Sequence, residues 1–279
     1  MKVLVTGING QLGHDVVKEL SKRGHESIGV DRETMDLTIP SQIKECIKNT
    51  NPDAIIHCAA YTAVDAAEDN EDLCRQINAL ATSDIAKCAK ELDIPMIYIS
   101  TDYVFDGSKD GEYTEEDIPN PINIYGRTKY EGETYVQDLL EKFYIVRISW
   151  VFGENGNNFI DNMIRLSKDR ETLNIIDDQV GSPTYTKDLS VLLVDMIECD
   201  KYGIYHVTNE GFCSWYEFAN KIFEFKKVNI ETIPITTAEY KTRATRPINS
   251  KMSKRKLEKN GFNKMEIWTD AIEDYLSNI

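Results

Sequence analysis

The 279-residue chain has no apolar run approaching the ~18–20 residues that span a bilayer, so no membrane span is expected. Its opening, MKVLVTGINGQ, puts Gly7, Asn9 and Gly10 where an export signal would carry its apolar stretch, so secretion is not expected either. Histidine is scarce, with four scattered residues, His14, His25, His57 and His206. None of the cysteines, Cys46, Cys58, Cys74, Cys88, Cys199 and Cys213, forms a CxxC pair or stands near a histidine in zinc-like order. They read as reduced, mostly buried thiols, and the expected compartment is the cytoplasm. No basic stripe is present. The densest basic run, KMSKRKLEK (251–259), is short, and a net charge of −15 repels nucleic-acid phosphates. An anionic small molecule stays open, because a few local donors can hold it against an unfavourable global field. Repeats and low-complexity segments are also lacking. What remains, 41% hydrophobic and 28% charged residues, is ordinary globular composition for one large domain or two unequal lobes.

The first half alternates short apolar, β-rich runs with helical stretches. Strands are expected at Lys2–Thr6, Ser27–Asp31, Ala54–Cys58, Pro95–Ser100 and Tyr144–Ser149. Helices are expected at Gln11–Lys22, Ile39–Lys48, Asp72–Leu92 and Asn123–Lys142. Continuous apolar strands separated by helices imply a parallel sheet covered on both faces. Right-handed crossovers then make it an α/β, doubly wound, Rossmann-type core. After Trp150 the rhythm weakens. Helices near Phe159–Ser167, Thr186–Cys199 and Ser214–Phe225 alternate with strands near Leu173–Ile176 and Ile204–Val207, and Arg243–Ser250 reads as loop. The expectation is a dinucleotide-binding domain over residues 1–150. Residues 151–279 then form a smaller substrate lobe interleaved with returns to the sheet.

The first strand ends in Thr6-Gly7-Ile8-Asn9-Gly10-Gln11-Leu12-Gly13, a G-x-x-G-x-x-G turn. Gly7 allows the tight turn, Gly10 lets backbone approach a pyrophosphate, and Gly13 lets the helix pack closely on the sheet. The helix start offers free N–H groups and the positive dipole end to a diphosphate. A glycine-rich turn without ligand is the bland alternative, but its place between the first strand and the first helix favours binding. Asp31, 18 residues after Gly13, can accept hydrogen bonds from the adenine ribose, which favours NADH; Arg32 beside it can pair with a 2′-phosphate, which keeps NADPH open. Asp36 and Leu37 can flank the adenine, and Ala59, Ala60 and Tyr61 follow the third strand where small residues leave room for the cofactor.

Tyr125 and Lys129 form Y-x-x-x-K on one helix face. An ammonium ~4 Å from a phenol at an effective dielectric of ~20 is worth about 4 kcal/mol, or about three pKa units. Tyr125 can then protonate a carbonyl oxygen while hydride reaches its carbon, and Lys129 can grip the nicotinamide ribose. Chance supplies about one such pair in a chain of this composition, so position carries the argument. The pair follows the fourth strand, whose carboxyl end bears Ser100-Thr101-Asp102, where α/β sheets place ligands. Thr101 completes a Thr–Tyr–Lys triad. Asp102, Tyr103 and Trp150 are candidate substrate contacts, with Trp150 as a core residue the alternative. Arg243 and Arg246 either clamp a substrate diphosphate or are solvated loop arginines. Asp177, Asp178 and Gln179 either bind sugar or turn the chain. The aromatic helix from Trp215 to Phe218 reads as core packing.

These residues carry a resemblance. The stretches TGINGQLG (6–13), HCAAYTAVD (57–65), STDYVFDG (100–107), YGRTKYEGE (125–133), RISWVFG (147–153), DDQVGSPTYTKDL (177–189), GIYHVTNEGFCSWYEFA (203–219) and ATRPINS (244–250) resemble the extended short-chain dehydrogenase/reductases, and within them the dTDP-4-dehydrorhamnose reductases. The resemblance implies NAD(P)H-dependent reduction of the 4-keto group of dTDP-4-dehydro-L-rhamnose, or of a related nucleotide 4-keto-6-deoxysugar. It implies the triad roles above and a substrate contact from Trp150. Some members carry a divalent metal at a dimer contact through acidic residues. No such set is identifiable here, so no metal site is expected, and a homodimer is merely compatible.

Related classes stay in view. A nucleotide-sugar 4,6-dehydratase has an acid after its Thr-Asp pair, where this chain has Tyr103. Epimerases usually have longer chains and retain bound NAD. The non-catalytic regulatory subunit of methionine adenosyltransferase shares this fold and much of the motif set, and fold alone does not decide function.

Overall fold

The computed structural model describes residues 1–279. Its first half runs β1 (Lys2–Thr6), α1 (Gln11–Lys22), β2 (Glu26–Val30), α2 (Pro40–Thr50), β3 (Ala54–His57), α3 (Val64–Ala67), α4 (Glu71–Arg75), a π-helical turn (Gln76–Leu80), α5 (Ala81–Leu92), β4 (Met96–Thr101), α6 (Ile124–Leu139) and β5 (Phe143–Ile148). Next come β6 (Val151–Phe152), α7 (Phe159–Asp169), β7 (Thr172–Ile176), β8 (Val180–Gly181), β9 (Thr184–Tyr185) and α8 (Thr186–Ile197). The chain ends with β10 (Gly203–His206), β11 (Cys213–Ser214), α9 (Trp215–Lys226), β12 (Glu231–Ile235), α10 (Arg255–Lys259) and α11 (Trp268–Asn278). No helix is long and apolar enough to cross a membrane.

Six strands form one parallel sheet in the order β10-β5-β4-β3-β1-β2. The chain leaves β1 in one direction for β2 and returns on the other side for β3. The crevice at the carboxyl ends of β1 and β3 is therefore the topological switch point, where such sheets bind ligands. Alternation along each strand feeds two cores. Val3, Val5, Ile56, Ile97, Ile99 and Val146 meet Leu12, Val16 and Leu20 of α1 and Leu189, Leu192 and Leu193 of α8. Leu4, Ile55, Met96, Tyr98 and Ile145 meet Ile43 and Ile47 of α2, Ile85 and Ala89 of α5, and Val136 of α6. Helices on both faces explain why the strands read as continuous apolar runs.

The helix expected over 72–92 is instead α4, a π turn and α5. Asn78 in that turn accepts a hydrogen bond from the Tyr61 backbone N–H (2.8 Å) and donates to its carbonyl (3.1 Å) and to the Thr128 hydroxyl (3.2 Å). The widened turn coincides with these bonds, which reach from the helix to the loop after β3 and to α6. The second half contributes β10 and α8 to the sheet and its cover. The rest packs around Phe152, Tyr185, Phe218, Ile222 and Tyr275, with short ladders β7–β12, β6–β9 and β8–β11.

One buried ion pair anchors α6. Glu133 is fully buried, and Arg147 of β5 grips it through Nε (2.9 Å) and Nη2 (2.7 Å) while the Ser100 hydroxyl of β4 donates to Oε1 (2.5 Å). A buried pair adds little net stability, yet removing one partner strands a charge. Arg147→Met is expected to lower the unfolding free energy by ~3–5 kcal/mol in urea titration, and Glu133→Gln added to it to restore part of the loss.

Candidate active site

Two adjoining hollows, ≈ 380 and ≈ 620 Å³, open at the switch point and share Gly7, Gly10, Ala59 and Ala60. The smaller is lined by Asn9, Val30, Asp31, Arg32, Met35, Asp36, Leu37 and Tyr61. The larger is lined by Gln11, Leu12, Gly13, Cys58, Thr101, Asp102, Tyr103, Tyr125, Lys129, Trp150, Phe159, Trp215 and Phe218. The expected cofactor residues thus fall on one continuous groove.

The glycine turn combines close backbone approach with bare donors. Gly7 has φ +73°, and a Cβ there would stand 2.9 Å from the Ala59 backbone. A Cβ on Gly13 would stand 2.3 Å from the Gly7 carbonyl oxygen. The Gly10 N–H bonds that same carbonyl (3.0 Å), and Gly10 caps α1 without a side chain. The N–H groups of Gln11, Leu12 and Gly13 have no partner within the protein. Bare donors at a helix start are what an anionic diphosphate satisfies, so these residues fit a dinucleotide. At the far end, Asp31 lies just past β2. Its Oδ1 accepts the N–H groups of Glu33 (3.0 Å) and Thr34 (3.1 Å) and its Oδ2 accepts Asn9 Nδ2 (2.8 Å). The bonds from Thr34, then Asn9 and Glu33, hold the carboxyl below its usual pKa. Arg32 is exposed and reaches Asp36 only at 3.6 Å.

Thr101 ends β4, and its hydroxyl donates to Asp102 Oδ1 (3.0 Å) and accepts the Tyr103 N–H (3.1 Å). Asp102 is buried; its Oδ2 has no partner, and desolvation pushes the carboxyl up to about 6. The Asn123 side chain caps α6 by accepting the Gly126 N–H (2.7 Å), which starts the helix that presents Tyr125 and Lys129. Both reach the cleft, but their electrostatics differ from what i, i+4 spacing predicts. Burial pushes the Tyr125 phenol up, with the Thr101 hydroxyl pulling the other way and Asp102 adding to the rise. Burial pushes the Lys129 amine down to about 7, against the charge of Glu133. Desolvation dominates at both groups. Lys129 Nζ lies over the Tyr98 ring, 4.0 Å from its centroid.

Trp150 lines the larger hollow in a left-handed conformation, φ +50°, rare for a bulky residue. Its indole stacks on Trp215 at 3.7 Å and 16°, and Trp215, Phe159 and Phe218 share the wall. The aromatic helix read as core is therefore partly a cleft wall. Its helical spacing carries no sign of this, since the fold alone turns the first residue of α9 toward Trp150. Arg243 and Arg246 are not in the cleft lining. They pair with Asp69 and, bidentately, with Asp65 (2.7 Å to Oδ2). These two carboxylates follow β3 and neutralise the arginines locally. Asp177 accepts the Ser214 hydroxyl (2.6 Å) and Asp178 the Thr237 hydroxyl (2.6 Å), so these acids tie loops together. Gln179 donates to Thr237 (3.1 Å). No group of three or more His, Cys, Asp or Glu side chains is placed to hold a metal ion.

A family model described as RmlD substrate binding domain matches residues 1–279. A dTDP-4-dehydrorhamnose reductase of Aggregatibacter actinomycetemcomitans is 41% identical over 263 residues, 89% of each chain. The spore coat polysaccharide biosynthesis protein SpsK of Bacillus subtilis is 36% identical, covering 99% of this chain and 96% of its own. The crystal structure of a dTDP-4-dehydrorhamnose reductase from Bacillus anthracis in complex with NADP is 42% identical. It superposes with a TM-score of 0.97 over 100% of this chain and 99% of that one.

Gly13→Ala is expected to weaken dinucleotide binding by at least ~10-fold, about 1.4 kcal/mol, in fluorescence titration, because its Cβ must push the Gly7 carbonyl out of the turn.

Proposed function

The chain belongs to the RmlD substrate binding domain family, and on that premise we propose that it reduces a nucleotide-linked 4-keto-6-deoxysugar with NAD(P)H. Its activity is that of a dTDP-4-dehydrorhamnose reductase or of a closely related 4-keto sugar reductase. One observation carries the assignment. The bare N–H groups opening α1, the Thr101–Tyr125–Lys129 group and an aromatic wall converge on one cleft at the switch point.

A bound nicotinamide dinucleotide would supply the hydride for the sugar carbonyl carbon. Gly7, Gly10 and Gly13, with the N–H groups of Gln11 and Leu12, hold its diphosphate. Asp31, Asp36, Leu37, Ala59, Ala60, Tyr61 and Asn9 form the adenosine end. Asp31 accepts from the 2′-hydroxyl and favours NADH, while Arg32, free to swing, admits the 2′-phosphate of NADPH. Tyr125, kept protonated at neutral pH by burial, gives its proton to the carbonyl oxygen. Thr101 orients that oxygen. Lys129 grips the nicotinamide ribose and offsets the phenolate left on Tyr125. Asp102, Tyr103 and Trp150 contact the sugar. Arg243 and Arg246 reach the substrate diphosphate by exchanging Asp69 and Asp65 for it.

Residues 1–150 carry the cofactor and residues 151–279 the substrate lobe, apart from α8 and β10, which belong to the sheet. Six free cysteines support a reducing compartment, the cytoplasm, and a homodimer is compatible with the reading. Tyr103 where a dehydratase has its acid favours reduction over elimination. The test is loss of reduced-nicotinamide absorbance on mixing with dTDP-4-keto-6-deoxysugars. No oxidation of either cofactor, together with a stable protein partner, would favour a regulatory subunit instead.

Tyr125→Phe is expected to lower kcat by at least ~100-fold with dinucleotide affinity kept. A near-normal rate would remove Tyr125 from the reaction. Asp31→Ala should raise KM for NADH more than for NADPH, and Arg32→Ala should do the reverse in the same steady-state assay.

A further inference from the structure

Lys129 is 2% exposed, yet no unshared anion faces it. From β3 it meets His57, whose pKa burial pushes down to about 3, and from the loop just after it Cys58, pushed up to about 12. From α4 it meets Cys74, also raised by burial. On its own helix stand Tyr125, raised by burial, and Glu133. The first four are neutral near pH 7. Glu133 is taken up by the bidentate Arg147 and the Ser100 hydroxyl. What the ammonium does touch is an aromatic face, with Nζ 4.0 Å from the Tyr98 ring centroid.

That ring is itself held. Tyr98 is fully buried in β4, three residues before Thr101, and stacks on His57 at 5.8 Å. Its hydroxyl shares its one proton between the carbonyls of Asn78 (3.0 Å) and Lys129 (3.2 Å). A Cβ on Gly132 would stand 2.3 Å from that hydroxyl, so only glycine lets α6 lie this close. A dedicated close approach, a fixed ring and a buried cation over its face make one arrangement. Aromatic faces attract ammonium groups most strongly when both are desolvated.

We propose that Tyr98 is a positioning residue for the reduction, its ring face holding the Lys129 ammonium charged at the edge of the cleft. The consequence for turnover rests on the reductase reading above, but the contact itself does not. Burial, against the charge of Glu133, brings the Lys129 amine down to about 7, so a weaker ring face tips it toward the neutral form. The side chain would then be neutral when the Tyr125 proton leaves.

The test follows the Lys129 side-chain resonances in the cofactor-free protein, labelled with 13C,15N-lysine and assigned with Lys129→Met. Tyr98→Phe is the shape-preserving baseline. Mono-, tri- and pentafluorophenylalanine at position 98 then weaken the ring face stepwise at nearly constant size. The midpoint is expected to fall in order, by about one unit at the pentafluoro ring. The alkaline limb of kcat/KM for sugar reduction should move with it. A midpoint unchanged across the fluorinated series would overturn the proposal. A graded midpoint in a chain that reduces no sugar nucleotide would keep the contact and sink the reductase reading.

Discussion

The site depends on how closely α6 lies against β4 and β5. A buried carboxylate on the helix, Glu133, is clasped by Arg147 from one strand and Ser100 from the other. Gly132 beside it removes the side chain that would hold the helix away from Tyr98. Tyr125 and Lys129 lie on the same helix, so their distance from the groove is set by this contact. A buried ion pair is a poor source of net stability, but its geometry is unforgiving. Here that rigidity fixes where a phenol and an amine meet the cleft.

Desolvation is the second theme. The protein carries a net charge of −15, yet the groove we propose for an anionic dinucleotide is lined by bare backbone donors at the start of α1, which add a local positive field and no net charge. Deeper in, burial raises the Tyr125 phenol and lowers the Lys129 amine. The free protein therefore holds the proton on tyrosine and a cation that is easily lost. Such a pair is suited to giving a proton to an oxygen that is becoming negative, provided the cation is sustained by its surroundings.

Much of this was readable from residue order. The strands of the first half announced themselves as apolar runs, because a sheet covered on both faces needs no polar alternation. Gly7 and Gly13 were legible because each answers a backbone demand that no other residue meets cheaply. Tyr125 and Lys129 were legible as a spaced pair. Trp215 was not: a tryptophan at helical spacing looks the same whether it faces a core or a cleft. Arg243 and Arg246 were placed in the right loop, but their carboxylate partners come from residues about 175 positions earlier, and no local pattern links them. The π turn at Gln76–Leu80 was equally hidden, since its hydrogen bonds reach across to Tyr61 and Thr128.

Local chemistry thus determined the alternation of strands and helices, the glycine turn at the start of α1 and the spaced Tyr125–Lys129 pair, because each rests on backbone geometry or on residues within a few positions of one another. Only the tertiary structure decided what those side chains feel. The pKa of a buried amine, the partner of an arginine and the wall of a sugar pocket depend on groups brought together from distant parts of the chain, and on the water that their packing removes.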